Sequence, residues 1–339
     1  MEHLKYEIQK VLVFYDIFNF PLTPIEVYKN LEIPSDIHTV YNCLHELKIE
    51  NKINQKNGYY FFPHNEFYAE RRSARFLVSF KKLKRARRVA RILWRFPFIK
   101  FIGVCNSLGY LNASDESDID FFIITKRGCL WTTRFLCASF LRLFNLRPTR
   151  TTLKNKICLS FILSENDLDI SSISLQGGDP YLYRWMLWLI PLYDDGVYKK
   201  FINKNLWIKN HLPNYIEQGS SREKPFPLFR HEKIKFSKLW AGRFKYVLAN
   251  VPISHIIALK WGAAFFKRFW EVVLGGRCER GLKYLQLGVM PKGLKEAVLR
   301  TDNSVVMNDS MLKFHLIDRR AEYRDKFYQR IKLINSKFT

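Results

Sequence analysis

Two short apolar runs with a polar turn between them constrain this chain most. Ile99 to Cys105 is a β-rich run that starts just after Pro97, and Asp118 to Thr125 is a second, with two carboxylates at its start. Between them lie Asn106-Ser107-Leu108-Gly109 and the polar stretch Asn112 to Ser117. Strand, short helix or turn, acidic loop, buried strand is an order that demands a sheet with an acidic mouth. Alternation along a strand puts Asp118 and Asp120 on one face and Ile119 on the other.

Two carboxylates side by side raise one another's pKa unless a cation sits between them. A hard divalent ion meets that need, and magnesium takes a few carboxylate oxygens together with phosphate oxygens and water. Ser107 begins the segment after the first strand, where free backbone amides point outward. Those amides and its hydroxyl could hold the β- and γ-phosphates of a nucleotide. Metal on one side and amides on the other would align an α-phosphorus for in-line attack by a hydroxyl.

This constellation resembles the DNA polymerase beta-like nucleotidyltransferase superfamily, whose signature is an apolar strand, Gly-Ser, a spacer, and Asp-x-Asp on the next strand. Here Ser107 precedes Asp118 by eleven positions, and Ser117-Asp118-Ile119-Asp120 leads into an apolar run. The resemblance implies that Asp118 and Asp120 are catalytic and bind Mg2+ (or Mn2+), and that Asn106 and Ser107 bind the nucleoside triphosphate. Two departures stand out. Asn106 replaces the family glycine, although asparagine tolerates unusual backbone angles better than most residues. The strand where the family keeps a third carboxylate should be Ile157 to Leu163, and it holds no acid. Asp169, shortly after it, is the acid that could reach the site as a third catalytic group; an exposed acidic loop is the competing reading.

The first 65 or so residues read as three helices and a hairpin. Thr23-Pro24-Ile25-Glu26 is a helix start with a capping box, Ser35 is expected to cap a third helix, and Lys56-Asn57-Gly58 separates two strand-like segments. This stretch resembles a winged helix. The third helix offers Asp36, His38, Tyr41, Asn42, His45, Glu46 and Lys48, which is no basic recognition face.

Residues 71 to 95 carry the charge: Arg71 to Arg95 includes eleven cations and no acid. With Phe76, Phe80, Leu83, Val89, Ile92 and Leu93 as an apolar stripe, this is a basic amphipathic helix. A solvated charged face is one reading of it; a phosphate-rich partner, nucleic acid or acidic lipid, is the other, and fits the net charge of +25 over 339 residues. Cys129 to Leu146 and Leu182 to Leu192 read as further helices, and Tyr198 to Pro213 as a helical tail. Residues 217 to 225 form a polar linker. From Phe226 on the chain is helix-forming, aromatic and basic, and His315 is read as structural. The six cysteines have no paired C-x-x-C spacing, which removes the usual zinc signatures. No stretch reaches the roughly 18 apolar residues that span a bilayer. The N-terminus lacks the basic-then-apolar order of a secretory signal, so a cytoplasmic protein is expected.

The expected fold is α+β: a winged-helix-like domain (1–68), a small mixed β-sheet nucleotidyltransferase core with its preceding basic helix (69–216), and a helical C-terminal region (226–339). The expected activity is transfer of a nucleoside monophosphate from an NTP to a hydroxyl acceptor that the sequence does not identify. The competing class is a non-catalytic winged-helix regulator, or a nucleic-acid-binding protein, whose degenerate transferase domain senses nucleotide.

Overall fold

A computed structural model describes residues 1–63, 67–149, 151–215, 267–274, 276–300 and 303–335. The linker expected at 217–225 and the aromatic stretch from 226 through 266 lie outside these residues. The expected mixed α+β architecture is present. A six-stranded sheet has the order β6-β3-β4-β5-β8-β7, built from β3 (Ile99–Val104), β4 (Ile119–Thr125), β5 (Ile157–Ser164), β6 (Ile190–Asp194), β7 (Val305–Met307) and β8 (Met311–Phe314). Only the central pair, β4 and β5, is parallel; every other neighbour pairs antiparallel.

That parallel pair needs a crossover, and α6 (Leu130–Leu143) supplies it. Strand alternation then sorts the core. Ile119, Phe121 and Ile123 face one side with α6 and with α4 (Tyr68–Leu93), whose Leu83, Ala86, Val89, Ala90 and Leu93 are buried there. Phe122 and Ile124 face the other side with α7 (Pro180–Leu187) and α8 (Tyr198–Lys204). Asp118 and Asp120 therefore open onto the α7 side.

The N-terminal elements are α1 (Glu2–Asp16), α2 (Pro24–Asn30), α3 (Ile37–Ile49) and the hairpin β1 (Asn54–Lys56) and β2 (Tyr59–Phe61). Thr23 and Glu26 form the expected reciprocal capping box. Lys56 pairs with Tyr59, so Asn57 and Gly58 alone make the turn, both at positive φ (53° and 79°), as a two-residue hairpin of this hand requires. The cap of α3 is Asp36, not Ser35: its carboxylate accepts from the amides of His38 and Thr39, both at 2.9 Å, which a charged acceptor does better than a hydroxyl.

Three further expectations need correction. Leu182 to Leu192 is not one helix: α7 stops at Leu187 and β6 follows, with Pro191 on the edge strand, where a missing N–H costs nothing. The region after 226 is not wholly helical. Besides α9 (Glu279–Gly288), α10 (Lys292–Ala297) and α11 (Arg320–Asn335), it gives β7 and β8 to the core sheet, where β8 covers the edge of β5. The stripe of α4 does not include Phe76 and Phe80, which are 43% and 38% exposed.

Contacts tie the N-terminal helices to the rest. Glu32 accepts from Arg184 Nη2 at 3.0 Å and Lys10 Nζ at 3.1 Å, and Tyr15 Oη accepts from Trp188 Nε1 at 2.7 Å. From α11, Phe327 packs edge-on against Phe14 at 5.6 Å and Arg330 pairs with Asp16.

Candidate active site

The site is assembled at the start of two parallel strands. Asp120 of β4 is in register with Cys158 of β5, and a bulge follows: Phe122, two residues on, pairs with Phe161, three residues on. The extra residue lets Ser160 turn to the same side, where its hydroxyl donates to Asp120 Oδ1 at 3.3 Å. Ligand atoms of Asp118, Asp120 and Cys158 all lie within 4.8 Å of one another. The sequence reading brought the two aspartates together; Cys158 was passed over because only an acid was sought on that strand.

Burial pushes the Asp120 carboxyl up to about 7, and the charge of Asp118 adds to this; hydrogen bonding from Asn106, Ser160 and Cys158 pulls against it. Burial raises Asp118 as well, with Cys158 and the nearby Lys82 ammonium opposing. The Cys158 thiol is raised, first by burial and then by the two aspartates, so at neutral pH it is a neutral S–H. Two carboxylates buried side by side are held at a cost to their ionised forms that a cation bound between them would relieve.

Asn106 stands at the turn from β3 into α5 (Asn106–Gly109), with φ of 54°. It thus meets the left-handed backbone that glycine would otherwise serve. Its Oδ1 accepts from Trp185 Nε1 of α7 at 3.0 Å, which fixes the amide beside Asp120. Ser107 follows on the same turn and is half-buried. At Gly109 a Cβ would come within 2.5 Å of the Trp188 carbonyl oxygen, so only glycine lets this turn lie against the end of α7.

The acidic loop is anchored from the basic helix. Lys82, 2% exposed, donates to the carbonyls of Asp115 at 3.0 Å and Ser117 at 2.6 Å and to Asn155 Oδ1 at 3.1 Å. Arg85 donates to the Asn155 carbonyl at 2.8 Å. Part of the charge of α4 thus holds the loops that lead into β4 and β5, a role that neither a solvated face nor a phosphate-binding face accounts for. Lys81, Lys84 and Arg88 are exposed.

Asp169 is placed elsewhere. It is exposed, beyond the far end of β5, and its Oδ1 accepts from the Ser171 amide at 2.8 Å. Thr125 pairs with Ser164 at that end of the parallel ladder, whereas Asp120 pairs with Cys158 at the other. Asp169 is a turn residue, and the expectation of a third carboxylate from it is corrected.

No family model, curated protein or solved structure matches the chain.

Proposed function

We propose that this chain is a divalent-metal-dependent nucleotidyltransferase that moves a nucleoside monophosphate from an NTP to a hydroxyl acceptor. The observation that carries the reading is the carboxylate pair on one strand face beside a positive-φ turn, the arrangement a metal-bound triphosphate needs. Asp118 and Asp120 would hold the ion, and the donor chemistry fits: two oxygens suit Mg2+ or Mn2+, while the adjoining thiol, a ligand only once an ion deprotonates it, would be a softer donor that favours Mn2+ over Mg2+. Bound there, the ion would supply charge neutralisation at the transferred phosphoryl group.

The chain's own residues do the rest. Ser107 and the backbone of the turn from Cys105 would orient the outer phosphates. Asn106 keeps Asp120 aimed by bonding to Trp185, and Lys82 keeps the acidic loop from collapsing onto the pair. As the acceptor hydroxyl gives up its proton to solvent water and its oxygen bonds to the α-phosphorus, the bond to the bridging oxygen breaks and pyrophosphate leaves. Positioning and electrostatics account for such a transfer without a covalent enzyme intermediate.

One observation favours a second reading, nucleotide binding without turnover by a regulator: the strand position opposite Asp120 is a thiol and not a carboxylate. The exposed cations of α4 suit nucleic acid under either reading. Thermal unfolding with each NTP, with Mn2+ or Mg2+ or with chelator, tests the common part. A metal-dependent rise in midpoint that Asp118→Ala/Asp120→Ala abolishes supports the site; no rise with any nucleotide sinks it. Release of pyrophosphate in an acceptor screen then separates enzyme from sensor.

A further inference from the structure

The face that carries the carboxylates continues past Asp120. Next along the ladder Phe122 pairs with Phe161, and beside Phe161 lies a cavity of about 190 Å³. Its core side is Asn106, Phe161 and Trp185; its other side is Tyr181 of α7, His315 just after β8 and Tyr323 of α11. Asn106 thus belongs to both places, bonded to Trp185 on the cavity side and to Asp120 on the other.

The charged groups of the lining are Lys313, Asp318, Arg319 and Arg320, and two of its three cations are paired with carboxylates, one of them with Asp179 outside the lining as well. Lys313 Nζ lies 2.7 Å from Asp318, Arg320 lies 2.9 Å from Asp318, and Arg320 lies 2.6 Å from Asp179. Two cations and two anions close on one another, and Arg319 stands at the exposed rim. With Lys313 and Arg320 so paired and Arg319 at the rim, the interior suits a neutral, flat, hydrogen-bonding group. Burial drives His315 down to about 4, so at neutral pH its ring offers one N–H and one bare nitrogen. The rings of Tyr181 and Tyr323 lie stacked at 6.0 Å. A cavity of roughly 150 Å³ accepts benzene, so this one suits a single heterocycle rather than a peptide or a dinucleotide.

We propose that this cavity receives the heterocyclic base of the nucleotide whose phosphates are directed to Asp118 and Asp120, an assignment that rests on the nucleotide reading of that pair. The base then sits against Trp185 and Phe161 and hydrogen-bonds to His315, and Asn106 lies where the nucleoside meets its first phosphate. The C-terminal segment, through His315 and Tyr323, becomes the part of the chain that chooses the base.

Unphosphorylated nucleosides test this separately from the metal site. Adenosine, guanosine, cytidine and uridine at millimolar concentration, with chelator, are added to the full chain and the unfolding midpoint is followed. At least one nucleoside is expected to raise the midpoint of the wild type and of Asp118→Ala/Asp120→Ala alike. His315→Phe should weaken that nucleoside about tenfold, the loss of one hydrogen bond. Ile317→Trp on the rim, where Ile317 is 78% exposed and tolerates change, should narrow the mouth and weaken it too. Nucleoside binding that persists when NTP and metal fail to bind would remove the transferase reading and leave the base site. No midpoint rise with any of the four, or a rise unchanged in both cavity variants, overturns the base site. NTP binding with Mn2+ that both variants leave intact would also overturn it, with the transferase reading still standing.

Discussion

Asp120→Asn should make the metal-free protein more stable, an unusual outcome for a residue on the strand that carries the candidate site. A carboxyl moved from its ordinary 3.8 to about 7 binds its proton more tightly in the fold than in the unfolded chain. The fold therefore loses stability as pH rises from about 4 to about 7, and nothing further above that. At 1.36 kcal/mol per pH unit the ceiling is ~4 kcal/mol. Asp120 keeps some accessible surface and shares its titration with Asp118, so a gain of about 1–3 kcal/mol is expected at pH 8. Urea unfolding of wild type and Asp120→Asn in chelator, at pH 4.5, 6 and 8, reads it directly. The two proteins should converge at the acidic end and separate toward pH 8, and Mn2+ should stabilise only the wild type. A variant that is less stable than wild type at pH 8, or a difference that does not change with pH, refutes the reasoning.

Three other outcomes follow from named contacts. Burial pushes Glu32 up, but Arg184 and Lys10 outweigh this and hold it at about 2, so its stabilisation is complete above about pH 4.5 and is lost as pH falls toward 2. Glu32→Gln should cost about 3 kcal/mol at pH 7 in a denaturant titration and flatten that acid limb, because Arg184, fully buried, is left unpaired. Cys158→Asp should raise the Mg2+-supported nucleotide shift toward the Mn2+ value, by supplying an oxygen donor; an unchanged Mg2+ to Mn2+ ratio counts against the thiol as a neighbour of the ion. Gly109→Ala should lower stability by about 1–3 kcal/mol, since its new methyl meets the Trp188 carbonyl; a neutral result in the same titration would mean that this turn yields easily.

Local chemistry made much of this legible in advance. The capping box at Thr23, the Asn57-Gly58 turn and the run from Asp118 to Thr125 each act over a few residues, and each is where the sequence puts it. What escaped was set by distant parts of the chain. An apolar run such as Leu182 to Leu192 has no period that tells helix from strand, and β6 exists because β3 offers an edge to pair with. The strands β7 and β8 are three and four residues long, too short to announce themselves, and the pairing of β8 with β5 and of β7 with β8 gives them form. At the site, the carboxylate pair was visible as spacing. Cys158 and Ser160 needed the register of β5 and its bulge, and Trp185 and His315 needed the packing of α7 and of the C-terminal segment. Asp169 misled because nearness in sequence to β5 was taken for nearness to its useful end.

The placement of β8 against β5 has a consequence for how the protein comes to exist. Synthesis runs from the N-terminus, so the central strands are made long before residues 311–314 are available to pair with β5. Until then β5 presents an open hydrogen-bonding edge, the kind of edge on which chains pair wrongly with one another. The same late segment brings His315 and Tyr323 to the cavity and carries α11 back to Phe14 on the first helix. A nascent chain halted before residue 311 would hold both aspartates and still lack the side of the cavity that His315 and Tyr323 form.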